Sequence, residues 1–253
     1  MVATISLNTD IGEGFGAWAI ADDDGLLNLV TDANIACGAH AGDSDIMRRT
    51  CEVAAERGIN IGAQVGYFDL RGFGRRFIET NPATLTNDVL YQLGALQAFT
   101  AVAGIEIKYL KIHGALYHAA VARPDYAAAV IGAATLFDPD LPFMCQPGTA
   151  LFDAVTAGGL TPIREGYIDR AYTSEGLLVP RERPGSLITD RRVCAARAVD
   201  IAVRGTIESI DGAPVTVSAE SVCIHSDSPG AVEIARAVRT ALQDAGVTIA
   251  PIP

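Results

Sequence analysis

Short apolar runs alternate along the chain with longer amphipathic stretches. Runs such as 107–112 and 222–224 have the apolar character of buried strands, whereas 43–57 and 231–242 repeat apolar residues at helical spacing. Strands that are apolar throughout are typical of parallel sheets whose faces are covered by helices. An alternation of about seven such strands with helices therefore predicts an α/β fold, a seven-stranded TIM-like (β/α) barrel.

The length of the chain fits a single barrel domain. Residues 1–253 come close to the roughly 250 residues of a typical (β/α) barrel, and we expect one domain over this whole range. One stretch, at about 164–190, breaks the alternation because prolines, glycines and charged residues replace the apolar pattern. We expect an irregular excursion there, with a small hairpin around 174–179.

Charge and cysteine content exclude several classes of protein. A formal net charge of −11 argues against nucleic-acid binding and against an anionic membrane surface, because both require clustered lysine and arginine. No apolar stretch reaches the roughly 18 residues of a membrane span, and no basic-then-apolar leader begins the chain, so we expect a cytoplasmic protein. Five cysteines without a CxxC pair predict reduced, buried thiols rather than disulfides or a zinc-thiolate site.

Titratable side chains follow several strand-like runs at the point where each run ends. His40, His113 and His225 each come directly after such a run, and Asp10 and Glu13 follow the first one in a glycine-rich segment. Because the carboxyl ends of parallel strands line the active site of (β/α) barrels, we predict an enzyme. Such groups could bind a divalent metal that activates water, or act without metal as acid, base and orienting groups. The spacing leaves both options open.

Two sets of cationic groups are candidates for binding an anion. Lys111 alternates with apolar neighbours in its run, so we expect it to point inward towards an acid or an anionic substrate group. The segment 66–77 is rich in glycine and aromatic residues, which predicts a long loop that acts as a lid or an anion clamp. It carries the arginines Arg71, Arg75 and Arg76.

Several blocks of sequence, spread over nearly the whole chain, resemble the LamB/YcsF family, which includes one of the three components of bacterial 5-oxoprolinase, its A chain. The blocks are LNTDIGEGFGAW, ANIACGAHAGD, GFGRR, KIHGALY, DRAY with GLLVPR, and CIHSDSPGAV. The resemblance implies a seven-stranded TIM-like barrel of the glycoside hydrolase and deacetylase type. It also implies ATP-dependent opening of the lactam ring of 5-oxoproline (pyroglutamate) to glutamate, carried out with subunits B and C.

This resemblance, together with the strand-end residues, defines the candidate site. The catalytic candidates are Asp10, Glu13, His40 and His113. The candidates for binding the lactam substrate or ATP are Gln64, Arg75, Arg76, Lys111, Asp169, Arg170, Tyr172, His225 and Asp227. We expect ATP as a co-substrate, and we leave a divalent metal open and assign no metal ligand.

The chain departs from the family pattern beside His40. Where the family commonly reads G-A-H-P-G-Y, this chain has Gln64 in place of the histidine, and Ala39 replaces a phenylalanine. A neutral amide does not titrate and is a poor metal ligand, so Gln64 cannot take over either role of a histidine. Beside 5-oxoproline hydrolysis, two alternatives therefore stay open: a related amidohydrolase or deacylase acting on a bulkier lactam, and a non-catalytic substrate-binding subunit.

Overall fold

A computed structural model describes residues 3–253 of the chain. Met1 and Val2, part of the segment in which we expect no leader, lie outside the described residues. The strands are β1 (Thr4–Ile11), β2 (Asp32–Ala36), β3 (Asn60–Val65), β4 (Ile107–Ile112), β5 (Phe143–Cys145), β6 (Pro162–Tyr167), β7 (Thr206–Glu208), β8 (Pro214–Thr216), β9 (Ser221–Ile224) and β10 (Thr248–Ile249). The helices are α1 (Asp23–Leu27), α2 (Ser44–Arg57), α3 (Pro82–Ala103), α4 (Gly114–Ala122), α5 (Pro124–Phe137), α6 (Ala150–Ala157), α7 (Arg191–Val199) and α8 (Ala231–Asp244).

The main sheet has the strand order of a barrel. Its strands are hydrogen-bonded in the order β10-β1-β2-β3-β4-β5-β6-β9, and β1 also pairs in parallel with β9. The seven strands β1 to β6 and β9 therefore form a cyclic order, as in a closed (β/α) barrel. The predicted α/β fold class is confirmed. Strands β7 and β8 form a separate antiparallel hairpin.

The chain divides into two compact units. One unit comprises Met1–Thr9, Ala21–Asp32 and Arg164–Pro253, and the other comprises Asp10–Ile20 and Ala33–Ile163. The single domain that we expect over residues 1–253 stays a prediction. Between residues 3 and 253, no helix combines the length and the apolar character that crossing a membrane requires.

In the unit of residues 10–20 and 33–163, the helix ends follow local signals in the sequence. Asp43 caps α2 by accepting hydrogen bonds from the N–H groups of the first turn, and the helix ends at Gly58 in a left-handed conformation. Asn81 caps α3, whose first residue is a proline, and Gly104 ends it. These helices bring the loops after β2 and β3 to fixed positions.

In the unit that contains residues 164–253, β6 is longer than the sequence suggested. We expected the excursion to begin at Arg164, but the strand continues through Tyr167. Glu165 is fully buried and accepts a 2.6 Å hydrogen bond from the Tyr167 hydroxyl, so the charged residues lie inside the strand. The described residues 168–190 contain no regular helix or strand. An isolated bridge between Tyr172 and Leu178 corresponds to the predicted hairpin.

The cysteines behave as the sequence predicted. All five are free and buried. Burial raises the pKa of the Cys51 thiol to about 12, and it has the same effect on the pKa of Cys194. These two thiols are therefore protonated at neutral pH.

Candidate active site

His40 lies at the tip of a tight turn that follows β2. The N–H of Gly38 donates to the Ala41 carbonyl at 2.9 Å and closes the turn. Gly42 then adopts a φ of 79°, and a Cβ at this position would lie 2.8 Å from the Ala36 carbonyl oxygen. Only glycine lets the chain double back here, and the buried imidazole of His40 is held by that turn.

A glutamine amide joins the two histidines at the centre of the site. His40 Nε2 lies 3.3 Å from Gln64 Oε1, and Gln64 Nε2 lies 3.2 Å from His113 Nδ1. The two imidazole rings stack with centroids 4.0 Å apart and an angle of 6° between their planes. One oxygen of Glu13, Oε1, lies 3.9 Å from His40 Nε2 and 3.6 Å from His113 Nδ1. All four side chains are buried, so their polar atoms interact with one another at low dielectric.

The loop after β3 closes over the stacked rings with its main chain. The Phe73 carbonyl lies 2.9 Å from His113 Nε2. A Cβ at Gly74 would lie 2.7 Å from His40 Cβ and 2.9 Å from His113 Cδ2. The Gly74 carbonyl also accepts a 2.8 Å hydrogen bond from Ala115 in the first turn of α4. The loop therefore fits against both histidines only because position 74 has no side chain.

The arginines of this loop differ in what they contact. Arg76 forms an ion pair with buried Asp69, which also caps the short 3₁₀ turn at Leu70–Gly72. The guanidinium of Arg75 is exposed and lies 4.9 Å from the Phe73 ring. Arg71 is also exposed. Arg76 thus holds the loop in place, while Arg75 presents its charge beside the histidines.

The surroundings of His40 keep its imidazole neutral. Burial, followed by the neighbouring His113, holds the pKa of His40 well below its ordinary value, and the charge of Arg75 acts in the same direction. Asp10 and the hydrogen bond to Gln64 oppose this shift but do not cancel it. His40 is therefore an uncharged hydrogen-bonding group at pH 7.

An ion pair lies beside the histidines. Lys111 Nζ is 3.2 Å from Asp10 Oδ1, and both side chains are 4% exposed, so the inward lysine predicted from the sequence is present. Asn34 donates to the same Asp10 oxygen at 2.9 Å, and the Tyr109 hydroxyl donates to Asn34 Oδ1 at 2.6 Å. Gln64 and Lys111 are register partners on neighbouring strands, which places the ion pair next to the histidine pair.

Three side chains of this cluster carry atoms that could bind a metal ion. One such atom from each of Glu13, His40 and His113 lies within 4.8 Å of the other two. A metal ion held by both histidines would need their lone pairs to converge at about 2 Å. The lone pairs of two nearly parallel rings lie in nearly parallel planes, so they cannot both point at one ion. The stacked arrangement does not fit a shared metal.

A second group of predicted residues belongs to the other unit. His225 Nδ1 lies 2.9 Å from Asp169 Oδ1. The backbone N–H of His225 and the Ser228 hydroxyl both donate to Asp169 Oδ2, and the Tyr167 ring stacks on the imidazole. Burial alone would raise the pKa of Asp169, but the charge of His225 and these hydrogen bonds outweigh it and lower the pKa. Asp169 is therefore an ionised carboxylate that fixes the orientation of His225.

The remaining predicted residues of that unit lie around this pair. The Arg170 guanidinium donates to the Val179 carbonyl at 2.6 Å and so holds the irregular excursion. The fully buried Tyr172 hydroxyl accepts a 2.8 Å hydrogen bond from the Tyr167 N–H. Asp227 is half-buried. Their predicted roles in binding substrate or ATP stay predictions.

Comparison with known proteins identifies the family. The sequence profile of the LamB/YcsF family matches residues 5–253. The chain belongs to the LamB/YcsF family. Among the relatives of this LamB/YcsF protein is the A chain of 5-oxoprolinase from Nocardia farcinica, 54% identical over 245 residues, which are 97% of this chain and 98% of that protein.

Solved structures agree with the LamB/YcsF assignment. The crystal structure of a lactam utilization protein from Thermus thermophilus matches with a TM-score of 0.94 and 41% identity, over 98% of this chain and 100% of that chain. The T48 deacetylase solved with its substrate matches with a TM-score of 0.50 and 11% identity, over 99% of this chain and 88% of that one. The deacetylase type of fold that we expected is thus confirmed.

Four groups of this LamB/YcsF site were not predicted. Asn34 and Tyr109 sit within strands that we read as apolar, although a polar side chain inside such a run is itself a signal of an inward polar group. The carbonyl of Phe73 and the bare Cα of Gly74 contact the histidines through the main chain. No residue type signals a main-chain contact of that kind.

Replacing Asp169 with asparagine should lower the unfolding free energy of this LamB/YcsF protein by about 2 kcal/mol at pH 7, because hydrogen bonds to a charged group contribute roughly 1.5–3 kcal/mol. The pKa of Asp169 is lowered by folding. Its contribution is therefore present above the unfolded pKa of about 3.9 and is lost as the pH falls through the folded value. Urea unfolding at a series of pH values should show that the difference in unfolding free energy between the wild type and Asp169→Asn becomes smaller at acidic pH.

Asp211 belongs to an exposed ion pair and offers a control for this prediction. Asp211→Asn should change the unfolding free energy by less than about 0.5 kcal/mol.

Proposed function

We propose that this chain opens the lactam ring of 5-oxoproline in an ATP-dependent reaction, as the A component of a 5-oxoprolinase that acts in the cytoplasm with subunits B and C. The observation that carries the proposal is the buried cluster of Glu13, His40, His113 and the Asp10–Lys111 pair, which combines proton-transfer groups with a buried cation. The names of two relatives, a 5-oxoprolinase component and a lactam utilization protein, support the substrate class.

The acidic and imidazole groups suit the proton transfers of ring opening. Water that attacks the lactam carbon must lose a proton, and the ring nitrogen must gain one when the C–N bond breaks. Glu13 is a buried carboxylate beside two imidazoles and is our candidate for the first transfer. The histidine pair is our candidate for the second. ATP would supply activation, because phosphorylating the amide oxygen of an unstrained lactam makes its carbon open to attack by water.

The cations suit the charges that such a reaction brings into the site. Lys111 is held in place by Asp10, so its ammonium is our candidate for stabilising the negative charge of the phosphoryl group on the activated lactam oxygen. Arg75 is exposed and electrostatically close to His40, which fits a phosphate or a substrate carboxylate. Arg76 is paired with Asp69 and is a weaker candidate than its neighbour. Asp169, Arg170, Tyr172, His225 and Asp227 remain our candidates for binding substrate or ATP.

An ATP-consumption assay on a panel of lactams tests the proposal. Purified chain would be combined with the candidate B and C subunits, and ADP and the opened amino acid would be measured together. We expect turnover of 5-oxoproline that needs all three subunits, and a loss of about 10²-fold or more in Glu13→Gln and His113→Gln. His118→Gln, which changes an exposed histidine on α4, should match the wild type.

The assay separates the proposal from its alternatives. Ring opening restricted to a larger lactam would favour the amidohydrolase with a changed substrate. Binding of 5-oxoproline without ring opening in any combination of subunits would favour the non-catalytic role. Full turnover in Glu13→Gln would show that the cluster of Glu13, His40 and His113 takes no part in the reaction.

A further inference from the structure

The proton positions of the central cluster follow from the Phe73 carbonyl. A carbonyl oxygen only accepts hydrogen bonds, so the His113 Nε2 that lies 2.9 Å away must carry a proton. We take the ring to carry this one proton, which leaves its other nitrogen bare. Nδ1 of His113 is therefore an acceptor.

The side-chain amide of Gln64 links the protonated nitrogen of His113 to that of His40. A bare His113 Nδ1 accepts from an N–H, so the NH₂ end of the amide faces His113 at 3.2 Å. The Oε1 end then faces His40 Nε2 at 3.3 Å and can only accept. His40 must carry its proton on Nε2, which agrees with the lowered pKa that keeps this histidine neutral.

The surroundings of the second ring nitrogen of His40, Nδ1, are consistent with a proton on Nε2. His40 Nδ1 is buried and has no hydrogen-bond partner among residues 3–253. It faces the Cα of Gly66, where a Cβ would lie only 2.8 Å away. A proton on Nδ1 would be a buried donor without an acceptor, which costs roughly 1–3 kcal/mol.

We propose that Gln64 is a positioning residue that holds His40 and His113 together in the Nε2–H tautomer. A histidine at position 64 could exchange protons with its neighbours, whereas the amide presents one fixed acceptor and one fixed donor. The residue by which this chain departs from the family pattern thus sets the proton arrangement of its site.

This arrangement assigns different catalytic roles to His40 and His113. These roles rest on the proposed function. The Nε2–H of His40 and the bare Nδ1 of His113 lie 3.9 Å and 3.6 Å from the same Glu13 oxygen. His40 donates its Nε2–H to Gln64 Oε1 and is too far from Glu13 for a hydrogen bond, so it takes no proton. His113 is the nitrogen to which Glu13 passes the proton taken from water, and from there it can reach the ring nitrogen that leaves the lactam carbon.

Two-bond ¹H–¹⁵N NMR spectra of the ¹⁵N-labelled chain at pH 8 test the tautomers without any substrate. The chain has only four histidines, so single substitutions assign each ring. We expect protonated Nε2 and bare Nδ1 in His40 and His113. His225 should carry a proton on Nδ1, because that nitrogen faces the Asp169 carboxylate, and it serves as an internal reference. A protonated Nδ1 with a bare Nε2 in either His40 or His113 would overturn the proposal.

Two variants test whether Gln64 sets these states. Gln64→Glu presents only acceptors, so His113 should carry protons on both nitrogens at pH 8. Gln64→Leu removes both contacts, and the Nε2–H pattern should give way to a mixture of tautomers. Gln97→Leu is the control, since Gln97 is an exposed glutamine on α3. A wild-type pattern in Gln64→Leu, or an equal disturbance in Gln97→Leu, would count against the positioning role.

Kinetics supply an independent readout in the assembled enzyme. We expect Gln64→Leu to lower kcat by about 10²-fold with little change in KM, because a positioning residue acts through the histidines and not on the substrate. Gln64→Glu should shift the pH profile of kcat/KM. An unchanged profile in Gln64→Glu would refute the catalytic meaning. If no lactam is turned over by the wild type, the proposed function fails while the NMR result still decides the tautomers.

Discussion

Lys111→Met is expected to lower the unfolding free energy by about 3–5 kcal/mol and to abolish lactam turnover. The lysine ammonium and the Asp10 carboxylate are both about 4% exposed and lie 3.2 Å apart. Removing one member of a buried pair leaves the other charge without its partner, and losses of about 3–5 kcal/mol are typical. Asn34 still donates to Asp10 but carries no charge. Urea unfolding gives the stability change, and the lactam assay with all three subunits gives the turnover.

Two further substitutions isolate the charge pair. Asp10→Asn combined with Lys111→Met removes both charges, so most of the lost stability should return while turnover stays absent. Lys108→Met changes an exposed lysine on the same strand β4, and it should shift stability by less than about 0.5 kcal/mol. Equal effects of Lys108→Met and Lys111→Met would mean that the buried pair has no special role in stability.

The elements that could be predicted from the sequence are those with local signals. The start of α2 at Asp43 and its end at Gly58 depend on residues within one turn of the helix end. The end of β6 could not be read in this way. Glu165 looks like the end of an apolar run, but its burial depends on the Tyr167 hydroxyl and on the packing of other elements.

The same difference between local signals and contacts between distant elements holds for the site. Asp10, His40 and His113 were expected directly after strands and Lys111 inside one, and they meet because adjacent parallel strands finish at the same edge of the sheet. Their pairing was harder to foresee, because it depends on distances between strands. The sequence left the partner of Lys111 open among several acids and anions, and the structure brings Asp10 to it. The catalytic roles themselves stay predictions.

The departure at Gln64 looks different once its contacts are known. From the sequence, it was the loss of a titratable group and of a metal ligand. In the structure, its amide lies between two imidazoles whose stacked rings do not fit a shared metal. An amide in this position suits a site that works through hydrogen-bonded histidines. The substitution therefore counts against a metal held by both histidines.

Gly74→Ala should lower lactam turnover by about 10²-fold or more, because displacements of about 1 Å in a catalytic group can cost that much. The added Cβ would lie 2.7 Å from His40 Cβ and 2.9 Å from His113 Cδ2, so the rings or the loop must move. The left-handed φ of 64° adds about 1–2 kcal/mol of strain for any residue other than glycine. Turnover and urea unfolding of the same preparation separate the two effects.

Gly104→Ala is the matched control for this prediction. Gly104 also has a left-handed backbone, with a φ of 72°, but no atom lies within 4 Å of the Cβ that it would gain. The strain should therefore destabilise both variants by about 1–2 kcal/mol, whereas only Gly74→Ala should lose turnover. If Gly74→Ala kept wild-type turnover, the loop would be able to withdraw from the histidines without consequence. The stacked pair would then work without the main chain of Phe73 and Gly74, and the Phe73 carbonyl would not be what fixes the protons of the cluster.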